Sequence, residues 1–176
     1  MSDEEWDLWY LDQRINERGI PVDVQMAEGA LHIWHRELAE IKDELAQITG
    51  LGKVTRGPFL QWLGINGCPL PNTQKETIQS ALNGPTPYPP VVLRALTLWG
   101  YKEVRALDKY KSILLTEQGG RIYNVFQYRG ASRTGRWAGR VLQPHNLKRT
   151  LVPIDQIDTL AEVIRRSDQP MLKLFW

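Results

Sequence analysis

The sequence predicts a mainly α-helical protein with a small antiparallel β element, an α+β fold. Two observations favour long helices: apolar residues recur at helical spacing over residues 27–48, and they do so again over residues 91–117. A third favours a strand, because residues 121–128 alternate in polarity and are rich in β-forming residues. Two long helices joined by a short irregular region are expected to form an antiparallel pair. We therefore predict a helical domain over residues 1–120 and a second domain over residues 121–176.

The first part of the chain is predicted to hold one short and one long helix. The first spans Glu4–Glu17 and ends near Gly19. Asp23 is suited to cap the second helix, which we expect to end at Gly50. The apolar residues of the second helix follow a spacing typical of helices that pack together in coiled-coil fashion. They are Ala27, Leu31, Trp34, Leu38, Ile41, Leu45 and Ile48.

The middle of the chain, residues 51–90, is divided by glycines and prolines. Two short helices fit between these residues, around Pro58–Leu63 and Thr73–Leu82. A second long helix is predicted from about Val91 to Glu117, and its apolar side is interrupted near Gly100 and Glu103.

The last part of the chain is predicted to begin with a β element. Arg121–Tyr128 is expected to form a strand, and Arg140–Gln143 is its expected partner. A short helix is predicted over Asp155–Arg166. The chain ends on the apolar run Leu172–Trp176, which favours the interpretation that this sequence is a piece of a longer protein.

Composition excludes several classes of protein. Hydrophobic residues make up 42% of the 176 residues, which is enough to form a core. No apolar run is long enough to span a membrane, and the acidic N-terminus lacks the basic and apolar stretches of a signal peptide. Cys68 is the one cysteine, so the chain has no internal disulfide. A cytoplasmic protein is the simplest interpretation.

The net charge is only +2, but the charges are segregated along the chain. Residues 1–48 are strongly acidic, whereas residues 121–149 contain seven lysines and arginines and no acidic residue. Such a segment repels itself unless an anionic partner neutralises it, and nucleic acid is the partner that this pattern favours.

Four arginines of the basic segment alternate with glycines and other small residues, at positions Arg129, Arg133, Arg136 and Arg140. Guanidinium groups bind phosphates or base edges through two parallel hydrogen bonds, and glycines let the backbone approach a ligand closely. Trp137 is a candidate to stack on a base or to wedge between bases. Gln143, His145 and Asn146 add groups that suit base edges or sugars. The alternative is a solvated basic loop, in which acidic residues would be expected as well.

Three other groups of residues could carry chemistry, and each has a simpler interpretation. Glu28, His32 and His35 could bind a metal, but such a set is more typical of a helix surface. Cys68 could be a nucleophile, but a packed thiol is expected. Asp155, Asp158 and Glu162 could be paired catalytic acids, but acids at the start of a helix also stabilise its dipole.

Two motifs resemble those of family A (DNA polymerase I-like) DNA polymerases. Ser132–Arg136, followed by Leu142–Gln143 and Asn146–Arg149, is similar to the Thr-Gly-Arg…Gln-Asn signature of that family. The longer run Gly130–Arg140 resembles the phage and prophage branch. Leu11–Asp23 is similar to the stretch that opens the thumb domain. The resemblance covers nearly the whole chain in family order, and it implies a thumb followed by the start of the palm.

The resemblance also implies roles in binding primer–template DNA. Arg136 matches the family arginine that reaches the minor groove at the primer end, where acceptors at every base pair allow pairing geometry to be checked. His145, where many relatives have Gln, and Asn146 match a polar pair near the primer–template terminus. Lys148 stands where many relatives have Pro. The predicted DNA contacts are Lys109, Lys111, Ser112, Arg129, Arg133, Thr134, Arg136, Trp137, Arg140, Gln143, His145, Asn146, Lys148 and Arg149.

In that family, catalysis needs two palm carboxylates that hold two metal ions. Neither motif that carries them occurs in this sequence, nor does the fingers helix that binds the incoming nucleotide, nor a recognisable proofreading set. The resemblance thus implies Mg²⁺ and deoxynucleoside triphosphates for a complete polymerase in a bacterial or phage-infected cell. We expect the fragment to have no catalytic residue or metal site and to be inactive alone. Apolar surface left by absent domains would favour a homodimer.

Two further functions stay open at this point. The chain could be a stand-alone module derived from a polymerase, in which the acidic helix over residues 23–48 faces a protein partner. It could also be an independent metal-dependent nuclease or transferase that uses Asp155 and Asp158.

Overall fold

The computed structural model describes residues 2–85, 87–103, 108–143 and 152–172. These residues are mainly helical and contain two antiparallel two-stranded sheets, which confirms the predicted α+β class. The elements in chain order are α1 (Asp3–Arg18), β1 (Ile20–Pro21), α2 (Val24–Thr49), α3 (Arg56–Ile65), α4 (Lys75–Asn83), α5 (Pro90–Lys102), α6 (Asp108–Thr116), β2 (Arg121–Ile122), β3 (Phe126–Ala131), β4 (Arg136–Gly139), a 3₁₀ turn (Ile154–Gln156), α7 (Ile157–Arg165) and α8 (Gln169–Leu172).

The chain divides into two compact units. The first unit comprises Met1–Ile33 and Ala106–Trp176, and the second comprises Trp34–Arg105. This division differs from the boundary expected at residue 120. The physical reason is that α1 packs on β3 and β1 pairs with β2, so the N-terminal residues fold with the C-terminal part of the chain.

The second unit is built around stacked aromatic rings. Phe59 of α3 and Trp99 of α5 are fully buried, and their ring centroids lie 4.4 Å apart. Leu45 of α2 lies in the same core, and Ile41 and Ile48 pack against it, as expected from the apolar spacing of that helix. Burial of rings this large contributes to the stability of the unit.

The single long helix predicted over residues 91–117 is wrong. Helix α5 ends at Lys102, and the backbone leaves the helical conformation at Glu103, where φ is −87° and ψ is 6°. Helix α6 begins separately at Asp108. Gly100 weakens the helix in this turn, since glycine has a low helix propensity. The interruption of the apolar side at Gly100 and Glu103 coincides with this break, but the apolar residues on both sides of it had favoured one continuous helix.

The motif Leu11–Asp23 forms a corner of the first unit. Gly19 ends α1 with a φ of +67°, and a Cβ there would lie 2.9 Å from the Tyr123 ring and 3.0 Å from the Ile122 carbonyl oxygen. Only glycine fits both the backbone angle and the space. Asp23 Oδ1 then accepts a hydrogen bond of 2.8 Å from the Met26 amide, which confirms the predicted cap of α2.

Helix α7 lies against α2 at Gly29. A Cβ on Gly29 would stand 1.9 Å from the Ile164 carbonyl oxygen, so the two backbones meet directly. The Arg165 guanidinium also donates to Asp23 Oδ2 at 2.6 and 2.8 Å. The predicted helix over residues 155–166 is confirmed apart from its first turn, which is 3₁₀.

In the described part of the chain, no helix combines the length and the apolar character needed to cross a membrane.

Candidate nucleic-acid interface

The arginine-rich segment forms a β-hairpin. Strand β3 pairs with β4 in antiparallel register, with Phe126 opposite Gly139 and Ala131 opposite Arg136. The four intervening residues, 132–135, form the turn, in which the Ala131 carbonyl accepts hydrogen bonds from Thr134 N (3.0 Å) and Gly135 N (2.8 Å). Gly135 has a φ of +65°, which suits the end of such a turn.

Two parts of the strand prediction are wrong. Arg121–Tyr128 is not one strand, because Asn124 has a φ of +55° and separates β2 from β3. Arg140–Gln143 is not the partner strand, because Val141 and Gln143 also have positive φ angles and this segment turns. The residues between the expected strands supply the partner instead, since the Ser132–Gly135 turn brings Arg136–Gly139 back onto β3.

Three arginines project from the hairpin into solvent. Arg133 lies in the turn, Arg136 begins β4, and Arg140 follows β4, where its amide donates to the Val125 carbonyl at 2.7 Å. All three are exposed, and within residues 2–85, 87–103, 108–143 and 152–172 no acidic side chain pairs with any of them. Their guanidinium groups can therefore accept an external anion.

Two other cations of the same segment are compensated by the protein itself. Arg129 forms an ion pair with Glu5 of α1, whose pKa is lowered first by a hydrogen bond from the Ser2 amide and also by Arg129. Arg121 donates to the carbonyls of Arg18 (2.8 Å) and Gly19 (3.1 Å) at the end of α1. The expectation that an external anion neutralises the bases of this segment is thus wrong for these two, because their acidic and carbonyl partners come from the same chain, more than a hundred residues away.

The aromatic side chains of the hairpin pack on one another. Trp137 is half-buried, and its ring meets Phe126 (6.1 Å between centroids) and Tyr128 (6.2 Å) edge to face. Such cross-strand aromatic pairs stabilise a hairpin. Trp137 therefore has a structural role, and its stacking on a base stays a prediction.

Three of the predicted DNA contacts, Lys109, Lys111 and Ser112, lie on α6. Lys111 is exposed and pairs loosely with Asp108 at 3.5 Å, whereas Lys109 is half-buried. Ser112 Oγ donates to the Asp108 carbonyl at 3.1 Å, so this hydroxyl is engaged within the helix. Its predicted contact with DNA would need a second hydrogen bond.

Of the remaining predicted DNA contacts, two lie among the described residues and four lie outside them. Thr134 is exposed in the hairpin turn, and Gln143 is exposed after Leu142, which is buried in the core of the first unit. The other four, His145, Asn146, Lys148 and Arg149, lie outside the described residues.

An open groove of about 550 Å³ lies between α2 and the end of α7 in the first unit. Glu28 and His32 line one side, and Glu162, Arg165 and Arg166 line the other. Glu162 accepts hydrogen bonds from Arg166 (2.8 Å) and Arg165 (3.3 Å), in that order the main causes of its lowered pKa. In the described part of the chain no three His, Cys, Asp or Glu side chains are grouped to hold a metal ion.

The Cys68 side chain is fully buried in the core of the second unit. Burial raises the pKa of its thiol, and a hydrogen bond from Tyr88 opposes this only in part. A thiol kept protonated in this way is a poor nucleophile, in agreement with the packed thiol expected from the sequence.

One group of cations was missed by the sequence analysis. Lys102 Nζ donates to the Val54 carbonyl at 3.2 Å and lies 4.1 Å from the centroid of the Trp99 ring. Its pKa is lowered, first by burial and further by the positive charges of Lys42 and Arg56, although Glu103 opposes the shift. These three cations come from three separate helices. Their proximity therefore cannot be predicted from a run of charges in the sequence.

Comparison with curated proteins shows that the chain is similar to a DNA polymerase of Bacillus phage SP02, with 29% identity over 179 residues. The similarity covers 99% of this chain but only 26% of that polymerase, so the chain spans about a quarter of its relative's length. No family model matches the chain. No solved structure matches it. The chain is therefore related to a phage DNA polymerase along nearly its whole length.

Proposed function

We propose that this chain binds primer–template DNA as part of a family A DNA-directed DNA polymerase, with the β3–β4 hairpin as its main contact. In this proposal α1 to α6, within residues 1–120, belong to the thumb and the hairpin opens the palm. Deoxynucleoside triphosphates and Mg²⁺ belong to the complete enzyme, and this chain alone transfers no nucleotide.

One observation supports the proposal above the others. Arg133, Arg136 and Arg140 are exposed on a single hairpin, and no acidic side chain in the described residues pairs with them. Burying or neutralising three such charges requires anions at matching positions, which a regular phosphate backbone supplies. The similarity to a phage DNA polymerase favours DNA over other polyanions.

The proposal predicts salt-dependent binding to duplex DNA. With about four to six phosphate contacts, the logarithm of the binding constant should fall against the logarithm of salt concentration with a slope of about −4 to −5. Fluorescence anisotropy with a labelled primer–template duplex at several salt concentrations measures this slope. Binding that does not respond to salt would contradict the proposal.

Arg136→Ala makes the test specific to the hairpin. We expect duplex binding to weaken about tenfold, or ~1.4 kcal/mol, and binding to single-stranded DNA to weaken less. Arg36→Ala removes the same charge from an exposed position of α2 outside the proposed interface and serves as the matched control. Equal losses for duplex and single strand, or equal losses for both variants, would argue against a role of Arg136 at the paired primer end.

A further inference from the structure

A buried side-chain amide joins α1 to the base of the arginine hairpin. Asn16 Nδ2 donates to the Phe126 carbonyl at 2.8 Å, and the Phe126 amide donates to Asn16 Oδ1 at 3.0 Å. The Asn16 side chain thus pairs with β3 as the peptide group of a neighbouring strand would. Asn16 is only 7% exposed, so these bonds are shielded from water.

Asp12 holds this amide from within α1. Asp12 lies one helical turn before Asn16, is 3% exposed, and its Oδ2 accepts from Asn16 Nδ2 at 3.2 Å. The carboxylate orients the amide so that its NH₂ group points to Asp12 and Phe126 while its oxygen accepts from the strand. Burial of a carboxylate costs free energy. Formation of α1 does not need a buried acid at this position, so the contact with Asn16 gives the burial a reason.

The other end of β3 is attached to α1 as well. Glu5, in the first turn of the helix, forms the ion pair with Arg129, where β3 takes a φ of +51°. Helix α1 therefore contacts β3 near both of its ends. The hairpin turn and β4, with Arg140 directly after it, extend from a strand that is held in place before any ligand binds. They carry the three arginines that pair with no acidic side chain among the described residues.

We infer that Asn16, oriented by Asp12, is a positioning residue for DNA binding: it fixes β3 so that Arg133, Arg136 and Arg140 are presented together. Preorganised charges bind a polyanion better than mobile ones, since less conformational entropy is lost on binding. This inference rests on the proposed function, because it concerns how the same hairpin meets DNA.

Asn16→Ala tests the inference in the full chain. We expect duplex affinity to fall about tenfold and the salt slope to become shallower by about one unit, since fewer phosphates are contacted at once. Gln13→Ala is the matched control, because Gln13 Nε2 also donates to Asp12 Oδ2 (3.2 Å) but is not among the groups that bond Phe126. If Asn16→Ala and Gln13→Ala give the same affinity and slope, the inference is wrong.

A double variant separates positioning from a general structural effect. If Asn16 acts through the arginines, Asn16→Ala should weaken binding less in an Arg136→Ala background than in the wild type. If Asn16→Ala only lowered the fraction of folded protein, its fold-loss in affinity would be the same in both backgrounds, and the two losses would multiply. Multiplicative losses would therefore overturn the inference.

Amide exchange in the unaltered chain keeps the inference testable if Asn16→Ala does not fold. The Phe126 amide should exchange at least about tenfold more slowly than the exposed amides of Ser132 and Arg133, because Asn16 holds it in the free protein. Equally fast exchange would contradict the inference. Failure of the wild type to bind duplex in a salt-dependent way would instead overturn the proposed function, whatever the exchange of Phe126.

Discussion

Two helical glycines show how the surroundings of a residue decide its importance. Gly29 and Gly100 both lie inside helices, where glycine is unfavourable relative to alanine. At Gly29 a Cβ would meet the Ile164 carbonyl oxygen at 1.9 Å, whereas at Gly100 no heavy atom of the surrounding structure lies within 4 Å. The same substitution should therefore have opposite effects at the two sites.

We predict that Gly29→Ala destabilises the chain by about 1–3 kcal/mol, because α2 and α7 must move apart. Gly100→Ala, the matched control, should stabilise it by about 0.5–1 kcal/mol through helix propensity. Thermal unfolding followed by circular dichroism measures both. A melting temperature that rises for Gly29→Ala would show that the two helices do not meet as described.

The junction between elements near Asp23 adds an electrostatic contribution to the fold. The pKa of Asp23 is lowered, first by hydrogen bonds from Arg165 of α7 and then by the Met26 amide of α2. A carboxyl group whose pKa is lower in the folded than in the unfolded state stabilises the fold above its unfolded pKa, about 3.9. This contribution is lost as pH falls through the folded pKa.

We therefore predict that Asp23→Asn lowers the melting temperature at pH 7 and that its difference from the wild type shrinks below about pH 4. Asp43→Asn, at an exposed position of the same helix, serves as the control and should stay close to the wild type at both values. A difference between Asp23→Asn and the wild type that is constant with pH would rule out the ion pair as its cause.

At the scale of the whole molecule, the relation to a phage DNA polymerase is extensive for this chain but partial for that relative. The carboxylate motifs that hold the catalytic metals in family A polymerases do not occur in this sequence. Binding and chemistry are therefore expected to be separable, since positioning a duplex requires cations and phosphoryl transfer requires metal-bound carboxylates.

We predict that the chain, mixed with primer–template DNA, deoxynucleoside triphosphates and Mg²⁺, extends no primer while it still binds the duplex. A gel-based extension assay with a complete DNA polymerase as positive control measures this. Extension that copurifies with the chain and is lost in Asp155→Asn or Asp158→Asn would contradict the prediction and revive an independent catalytic role for the C-terminal acids.

Much of the fold followed from local features of the sequence. Apolar spacing, the Asp23 cap and the glycines near helix ends predicted α1, α2 and α7 closely, because these features act within a few residues. The exposed arginines were found in the same way, since a run of bases without acids is visible in the chain itself. The similarity to a phage DNA polymerase supports the relationship to DNA polymerases that the motifs indicated, whereas the assignment to family A stays a prediction.

Other features were decided only by contacts between distant residues. Asn16 bonds a strand 110 residues away, and Glu5 neutralises an arginine 124 residues away. These contacts determine that the N-terminal helix folds with the C-terminal hairpin and that Arg129 is compensated. Arg136, by contrast, pairs with no acidic side chain in the part of the chain that the structure describes. Apolar periodicity and charge counts describe residues that are neighbours along the chain. Which distant segments contact each other depends on the packed tertiary structure. Only that structure distinguished the paired arginine, Arg129, from Arg136.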